Sequence, residues 1–457
     1  MKINLERISK LLMVFIALVL TLNLASCIQN NGGDDDEIPE ENTKQYRTDV
    51  LTDVSPVILD ELELGFKFFW ETANSDTTSS GYGLIPDRFH TDTNAIGTVA
   101  SIASVGFGLT TIPIGIENGW ITRSEGEERA YLTLKTMENL ERTHGFWFHF
   151  LDMKTGKRAW SSEVSIIDSA LFINGALTVG RYFGGRVQKI AYKLYETIEW
   201  DWFFDGVNNK FYMGYHPEKG FSGHWEGYAE QLMIFVLAAG SPDYAVGKSA
   251  YNLMKAISRL ESSTSDYGRF YSTYTGSIFT YQYSHAWIDF KNYEDKLGYN
   301  WFTNSVNAVD AAIAYAKTLT KQHPGIHENS WGMSACDGPN GYKGAYGSGP
   351  SAGNAHFVDG TVPAYGAIGS IVFRPEQAIK AAENYRTYER FWSKYGFKDA
   401  YNLSTSSSGW FGSDIIGIDK GISVLMIENY LSGMIWDIFM EIEYIQNGLT
   451  KLEFKRI

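Results

Sequence analysis

At three places in this chain an acidic residue begins a stripe of otherwise apolar residues. Breaking a glycosidic bond takes one carboxylic acid to protonate the leaving oxygen and one carboxylate to activate water or attack directly, so paired Asp and Glu are the pattern to look for. In SSEVSIIDSALF, Asp168 shares a helical face with Leu171, Phe172 and Gly175, and Glu163 lies just ahead. Ser165 and Asp168 also have capping-box spacing, and an acid in a first turn complements the helix dipole, so a structural reading of Asp168 stays open. In HWEGYAEQLMIF, Glu230 falls on the face of Met233, Ile234 and Leu237, with Glu226 four residues earlier, where two like charges on one helix repel. Solvation explains Glu226 at the helix start better than it explains Glu230 inside the apolar pattern, which makes Glu230 the stronger candidate. In GIDKGISVLMIENYLSGMIW, Asp419 precedes a helix as N-cap or pocket acid, and Glu428 lies on the stripe of Val424, Leu431 and Ile435, where an unpaired charge is expensive.

The loops between helices are dense in Gly, Trp, Tyr and acids, which suits a negative pocket walled by rings on which sugars stack. His285 and Asp289, four apart in QYSHAWIDF, either line that cleft or form a buried hydrogen-bonded pair. No HExxH, CxxC, EF-hand, Walker or dinucleotide glycine pattern occurs, so no cofactor and no metal are expected. A formal charge of -14 and a pI near 5.2 argue against nucleic acid, which needs clustered Lys and Arg. A neutral partner fits better.

The elements that must position these residues are mostly helical. Ile58, Leu62, Phe66, Phe69 and Trp70 sit at helical spacing, and Thr122 with Glu125 opens a second helix that stops at Gly145. Further helices are expected at 166–182, 186–200, 228–239, 246–260, 304–320, 375–394 and 421–445. Strand content is small: HGFWFHFLDMKTGKRAW alternates aromatics about a Lys-Thr-Gly turn, and 266–281 offers a second hairpin. With no βαβ alternation and no fixed repeat period, a closed ring of helical hairpins is favoured over a solenoid.

The N-terminus has a different character. Lys2, Arg7 and Lys10 precede an apolar run from Leu11 to Leu20 that ends in Leu24, Ala25, Ser26 and Cys27. This is a lipoprotein leader, too short to span a membrane, with Cys27 as the acylated residue. Residues 28–50 are polar and acidic and read as a disordered tether, and 51–457 as one domain. The expected location is the outer membrane, facing either the cell surface or the periplasm. The membrane is then a partner only through the lipid, and the protein a monomer. Cys336, the remaining cysteine, reads as a small buried hydrophobe.

Several motifs occur together and in order: FFWETAN with GLIPDR, SVGFGLT, GWITRSEGEER, HGFWFHFLDMKTGKRAW, SEVSIIDSAL, WEGYAEQL, YQYSHAWIDF, ENSWGMSACDGP and GIDKGISVLMIENYLSG. In these the chain resembles the glucoamylase-like domain family, which includes the bacterial β-1,2-glucanases of glycoside hydrolase family 144. The resemblance runs from about residue 57 to 445. It implies an all-α (α/α)6 toroid with small β-hairpin insertions, hydrolysis with inversion, and β-1,2-glucan or its oligosaccharides as substrate. By motif, Glu230 is implied as general acid and Asp419 as base, with Glu163 and Asp168 as further pocket acids. Arg88, Trp225, Glu226, Tyr228, His285, Asp289, Trp331, Trp410 and Glu428 are implied to hold glucose units. Two other readings compete. A non-catalytic glycan-binding lipoprotein would have no need of carboxylates on apolar stripes. A polysaccharide lyase would need a Tyr or His base and a group to neutralise a uronate.

Overall fold

Helices buried on every side make the inner wall of the molecule: Ile102–Glu117, Ile166–Phe183, Leu232–Gly240, Ala364–Ile368 and Gly417–Leu431. Such a helix has no face for water and must be enclosed. Two 3-10 turns, Ile278–Tyr281 and Tyr283–Ala286, fill the remaining inner position. The outer layer is amphipathic and consists of Pro56–Thr72, Arg123–Asn139, Gly185–Glu196, Ser249–Ile257, Trp301–Leu319 and Pro375–Arg386. Each outer helix follows an inner element, except that Pro56–Thr72 packs on the last inner helix, Gly417–Leu431, and closes the ring. The result is an (α/α)6 toroid. This computed structural model describes residues 38–457, and Pro39–Ile457 form one compact unit. The leader and Cys27 lie outside the described residues.

Short strands fix which end of the ring is the mouth. Val99–Ser101, Val164–Ser165, Thr361–Pro363 and Asp414–Ile416 each run directly into an inner helix. They pair antiparallel with Phe150–Asp152, Lys210–His216, Ala400–Asn402 and Arg88–His90 respectively. These pairings gather the N-termini of the inner helices at one end. Ser101 and Ser165 cap their helices by accepting from the N–H of Ser104 and Asp168.

The outer helices match their amphipathic signals and the inner helices Ile166–Phe183 and Leu232–Gly240 stand close to expectation, while two other inner segments differ for a physical reason. Ile102–Glu117 has no apolar stripe because all its faces are buried, so periodicity has nothing to detect. The segment expected as one helix at 421–445 is broken at Gly433, whose φ of 73° the right-handed helix cannot contain, and continues as Met434–Met440 and Glu443–Lys451. The tether also ends earlier than its composition suggests. Tyr46 is buried, Asn42 donates its backbone N–H to Phe183 O at 2.8 Å, and Arg47 pairs with Glu428 at 2.8 Å, so this stretch packs on the ring.

Candidate active site

Glu230 does not lie on a helix: it occupies the turn that delivers the chain to Leu232–Gly240. That turn is clamped. Ser284 Oγ donates to the Glu230 carbonyl at 2.6 Å and accepts from Met233 N–H at 3.0 Å, while Gln231 Nε2 donates to Gly227 O at 2.6 Å. The Glu230 side chain is half-buried. Burial pushes its carboxyl up to about 7, against its own backbone hydrogen bond and with help from the charge of Asp168. A carboxyl in this state is still partly protonated at neutral pH.

Beside it, His149 sits between two acids. Its Nδ1 is 2.9 Å from Glu163 Oε1 and its Nε2 3.4 Å from Asp168 Oδ1. Burial opposes charge on the ring, but Asp168 and Glu163 outweigh it and raise the imidazole above its ordinary value. The hydrogen bond from His149 holds Glu163 below the usual carboxylate range. Burial raises Asp168, with His149 and the Ser165 hydroxyl, 2.5 Å from Oδ2, opposing. Among the described residues, these three form the group of His and carboxylate side chains close enough to surround an ion. With a carboxylate at each ring nitrogen, the imidazole keeps no lone pair for one.

The second acid centre is a pair. Asp419, in the first turn of Gly417–Leu431, faces Asp399, on the loop before Ala400–Asn402. Asp399 Oδ2 accepts from Asp337 N–H at 2.7 Å, whereas Asp399 Oδ1 and Asp419 Oδ2 are buried with no donor. Two adjoining carboxyls with one bare oxygen each share a proton, as two buried negative charges in contact cannot both persist. Burial raises both; the charge of Asp337 adds to the rise of Asp399, which its contact with Asp419 opposes, and the charge of Asp399 adds to the rise of Asp419. Tyr283 feels both centres: its phenol is pushed up first by burial, then by Asp419, and also by Glu230 and Asp168.

Arg88 closes the rim. Its Nη1 donates to Asp337 Oδ2 at 3.0 Å and to Asp414 Oδ2 at 2.9 Å, and its Nε to Asp87 at 3.3 Å. The guanidinium is thus committed to three carboxylates, and its place at the mouth follows from the pairing of Arg88 with Ile416.

The structure brings Glu230, Glu163, Asp168, Asp419 and Arg88 to one mouth and takes other expected residues elsewhere. Glu428 lies nine residues beyond Asp419 on the same helix, about 13 Å along the axis at 1.5 Å per residue, at the far end of the ring. There it is buried against Arg47 and Ser432. His285 is buried among Phe290, Phe302 and Phe373, bonds Ser305 at 2.9 Å, and is kept neutral by burial, which lowers it to about 3. Asp289 caps the turn Phe290–Asn292 and shares a far-end hollow with Lys44 and Trp436. Trp331 is fully buried, and Tyr228 is stacked on Trp301 at 4.6 Å, so both are core. Trp225 is buried with its indole N–H unpartnered. Glu226 is exposed and paired with Lys210 at 2.6 Å. Trp410 is half-buried on the strand beside Ala400–Asn402, the strand that Asp399 leads into. Cys336 is buried, which pushes its thiol well up and makes it unreactive. The residues missing from the sequence reading are Asp399, His149, Tyr283 and the partners of Arg88. Asp399 stands alone in FKDAYN with no stripe or spacing to mark it.

Fold and mouth together define an (α/α)6 toroid that sets two differently protonated carboxyl centres at the N-terminal ends of its inner helices. The resemblance read from the motifs holds: residues 222–443 match the family model described as putative glucoamylase. The chain is 26% identical over 428 residues to an exo β-1,2-glucooligosaccharide sophorohydrolase (non-reducing end) of Parabacteroides distasonis, a match covering 86% of this chain and 57% of that protein. This chain therefore spans little more than half that relative's length. It also superposes on the endo-β-1,2-glucanase of Chitinophaga pinensis, solved with sophorotriose and glucose, with a TM-score of 0.78 and 26% identity, covering 88% of this chain and 98% of that one. A Bacteroides uniformis protein sharing the family's description gives a TM-score of 0.77 at 28% identity, covering 89% and 99%.

Proposed function

We propose that the protein is a glycoside hydrolase that cleaves β-1,2-linked glucan or its oligosaccharides with inversion. The observation that carries the reading is that two carboxyl centres, the raised single acid Glu230 and the proton-sharing Asp399–Asp419 pair, both act on Tyr283 at one mouth. Glu230 gives its proton to the leaving glycosidic oxygen. The Asp399–Asp419 pair, holding one proton and one negative charge, takes a proton from the water whose oxygen bonds to the anomeric carbon. The water oxygen thus ends on the sugar, and bulk water returns the protons to their starting positions. Support for the β-1,2 linkage comes from the two relatives that act on such chains.

Purified protein incubated with linear β-1,2-glucan should release sophoro-oligosaccharides or sophorose, visible by thin-layer chromatography, and should leave cellulose, laminarin and starch intact. Equal activity on starch would overturn the assignment. Product lengths also separate internal from terminal cleavage. We propose in addition that the chain is exported and held at the outer membrane through a lipid on Cys27, supported by the basic start, apolar run and small-residue approach to that cysteine. Cys27→Ser should move the protein from the membrane fraction to the soluble one, and unchanged fractionation would sink this part.

A further inference from the structure

Trp160 is exposed to 66%, and no other tryptophan among the described residues is mostly exposed. It also stands in a backbone conformation that bulky residues avoid, with φ of 52°, and the next residue, Ser161, repeats it at 53°. Two successive left-handed residues without glycine are strained and persist only where the surroundings impose them. Here they are imposed. Arg158 Nε donates to Ser162 O at 2.6 Å, its Nη2 to Ser161 O at 2.9 Å, and its Nη1 pairs with Glu218 at 2.5 Å. The held loop does not bury the indole. Its ring contact is the edge of Phe150, 5.0 Å between centroids and tilted 61°, and Phe150 in turn stacks on His149 at 3.8 Å and 16°.

An apolar ring is thus kept in water one aromatic away from the imidazole that holds Glu163 and Asp168. A pyranose offers such a ring the apolar C–H face it lacks, and the ring's rigidity makes the contact cheap in entropy. We propose that Trp160 is a stacking platform for a glucosyl unit lying outside the bond being cut, so that it sets how strongly the enzyme prefers long chains. This rests on the reading of the mouth as a glucan-cleaving site.

Two variants test it. Trp160→Asn removes the ring but tolerates the left-handed backbone, and Trp160→Tyr keeps an aromatic face. Steady-state rates would be measured on β-1,2-gluco-oligosaccharides of increasing length. The Asn variant should lose about tenfold in kcat/KM on long chains, through KM, and progressively less as the substrate shortens, with Tyr retaining most of the preference. Melting temperature should be unchanged or higher for Asn. A loss equal at all lengths, or no loss, overturns the proposal. If the wild type releases no sugar from β-1,2-glucan, the reading of the site fails instead, and Trp160 is then judged by calorimetric titration of wild type and Asn variant with β-1,2-glucan. A weaker fit for the variant supports the platform; equal binding, or none by either, sinks it.

Discussion

Glu230 shows how a residue can be identified correctly from sequence for a partly mistaken reason. Its place on an apolar stripe predicts a desolvated carboxyl, and the carboxyl is raised to about 7, yet it sits on a turn and not on the helix. Glu230→Gln should lower turnover by ~10²–10⁴, the usual range for a lost general acid, measured as reducing sugar at neutral pH. A fall of less than tenfold would move the assignment to another acid. The same raised carboxyl has a stability consequence with a definite sign. The folded state holds a proton that the unfolded state releases between the ordinary value and about 7, so stability declines as pH rises through that window. Glu230→Gln removes the penalty and should stabilise by roughly 1–2 kcal/mol at pH 8, after discounting solvent screening of a half-buried group, and by little at pH 5. Thermal melts at the two pH values check it. Activity should be bell-shaped in pH, lost on the alkaline side as Glu230 ionises and on the acid side as the Asp399–Asp419 pair takes its second proton. An unchanged alkaline limb in a variant conserving activity at Glu230 would remove it from the acid role.

Among the elements, the inner helices are the least legible in sequence and the most tightly constrained in space. Ile102–Glu117 crosses Ile166–Phe183 with glycines at the contact: a Cβ on Gly175 would stand 2.0 Å from Gly106 O, and one on Gly106 2.2 Å from Leu171 O. Backbone cannot step aside as a flexible side chain can. Gly175→Ala should therefore destabilise by about 1–3 kcal/mol, the range for overpacking a core, and a denaturant midpoint equal to wild type would show that the crossing can open. Outer helices announce themselves by stripe and cap, as Thr122 and Glu125 do in a reciprocal capping box. Ile166–Phe183 and Leu232–Gly240 lie near the bounds expected from the stripes behind their acids, but Ile102–Glu117, apolar all round, has no period, and the short strands that aim the inner helices are two or three residues long and paired with segments far away in the chain. Both facts explain why the ring could be inferred as a class but its register could not.

At the scale of the whole molecule, the acids of the mouth and the buried ion pair of Glu428 occupy opposite ends. The stripe that carries Glu428 was legible, but its partner, 381 residues distant, was not, and that partner turns an expected sugar ligand into a clamp. Glu428 is buried with Arg47 and Ser432 on one oxygen and nothing on the other. Arg47→Met should then cost about 3–5 kcal/mol by leaving a buried charge alone, with kcat on β-1,2-glucan unchanged. A drop in kcat without a drop in melting temperature would return Glu428 to the site. The backbone from Glu41 to Leu51 follows the same end: Asn42 N–H meets Phe183 O and Leu51 N–H meets Leu431 O, at the last residues of two inner helices whose first turns carry Asp168 and Asp419. The stretch from Glu41 to Leu51 therefore braces the ring from behind, as a base holds a lamp, and covers none of the face that carries Asp168 and Asp419.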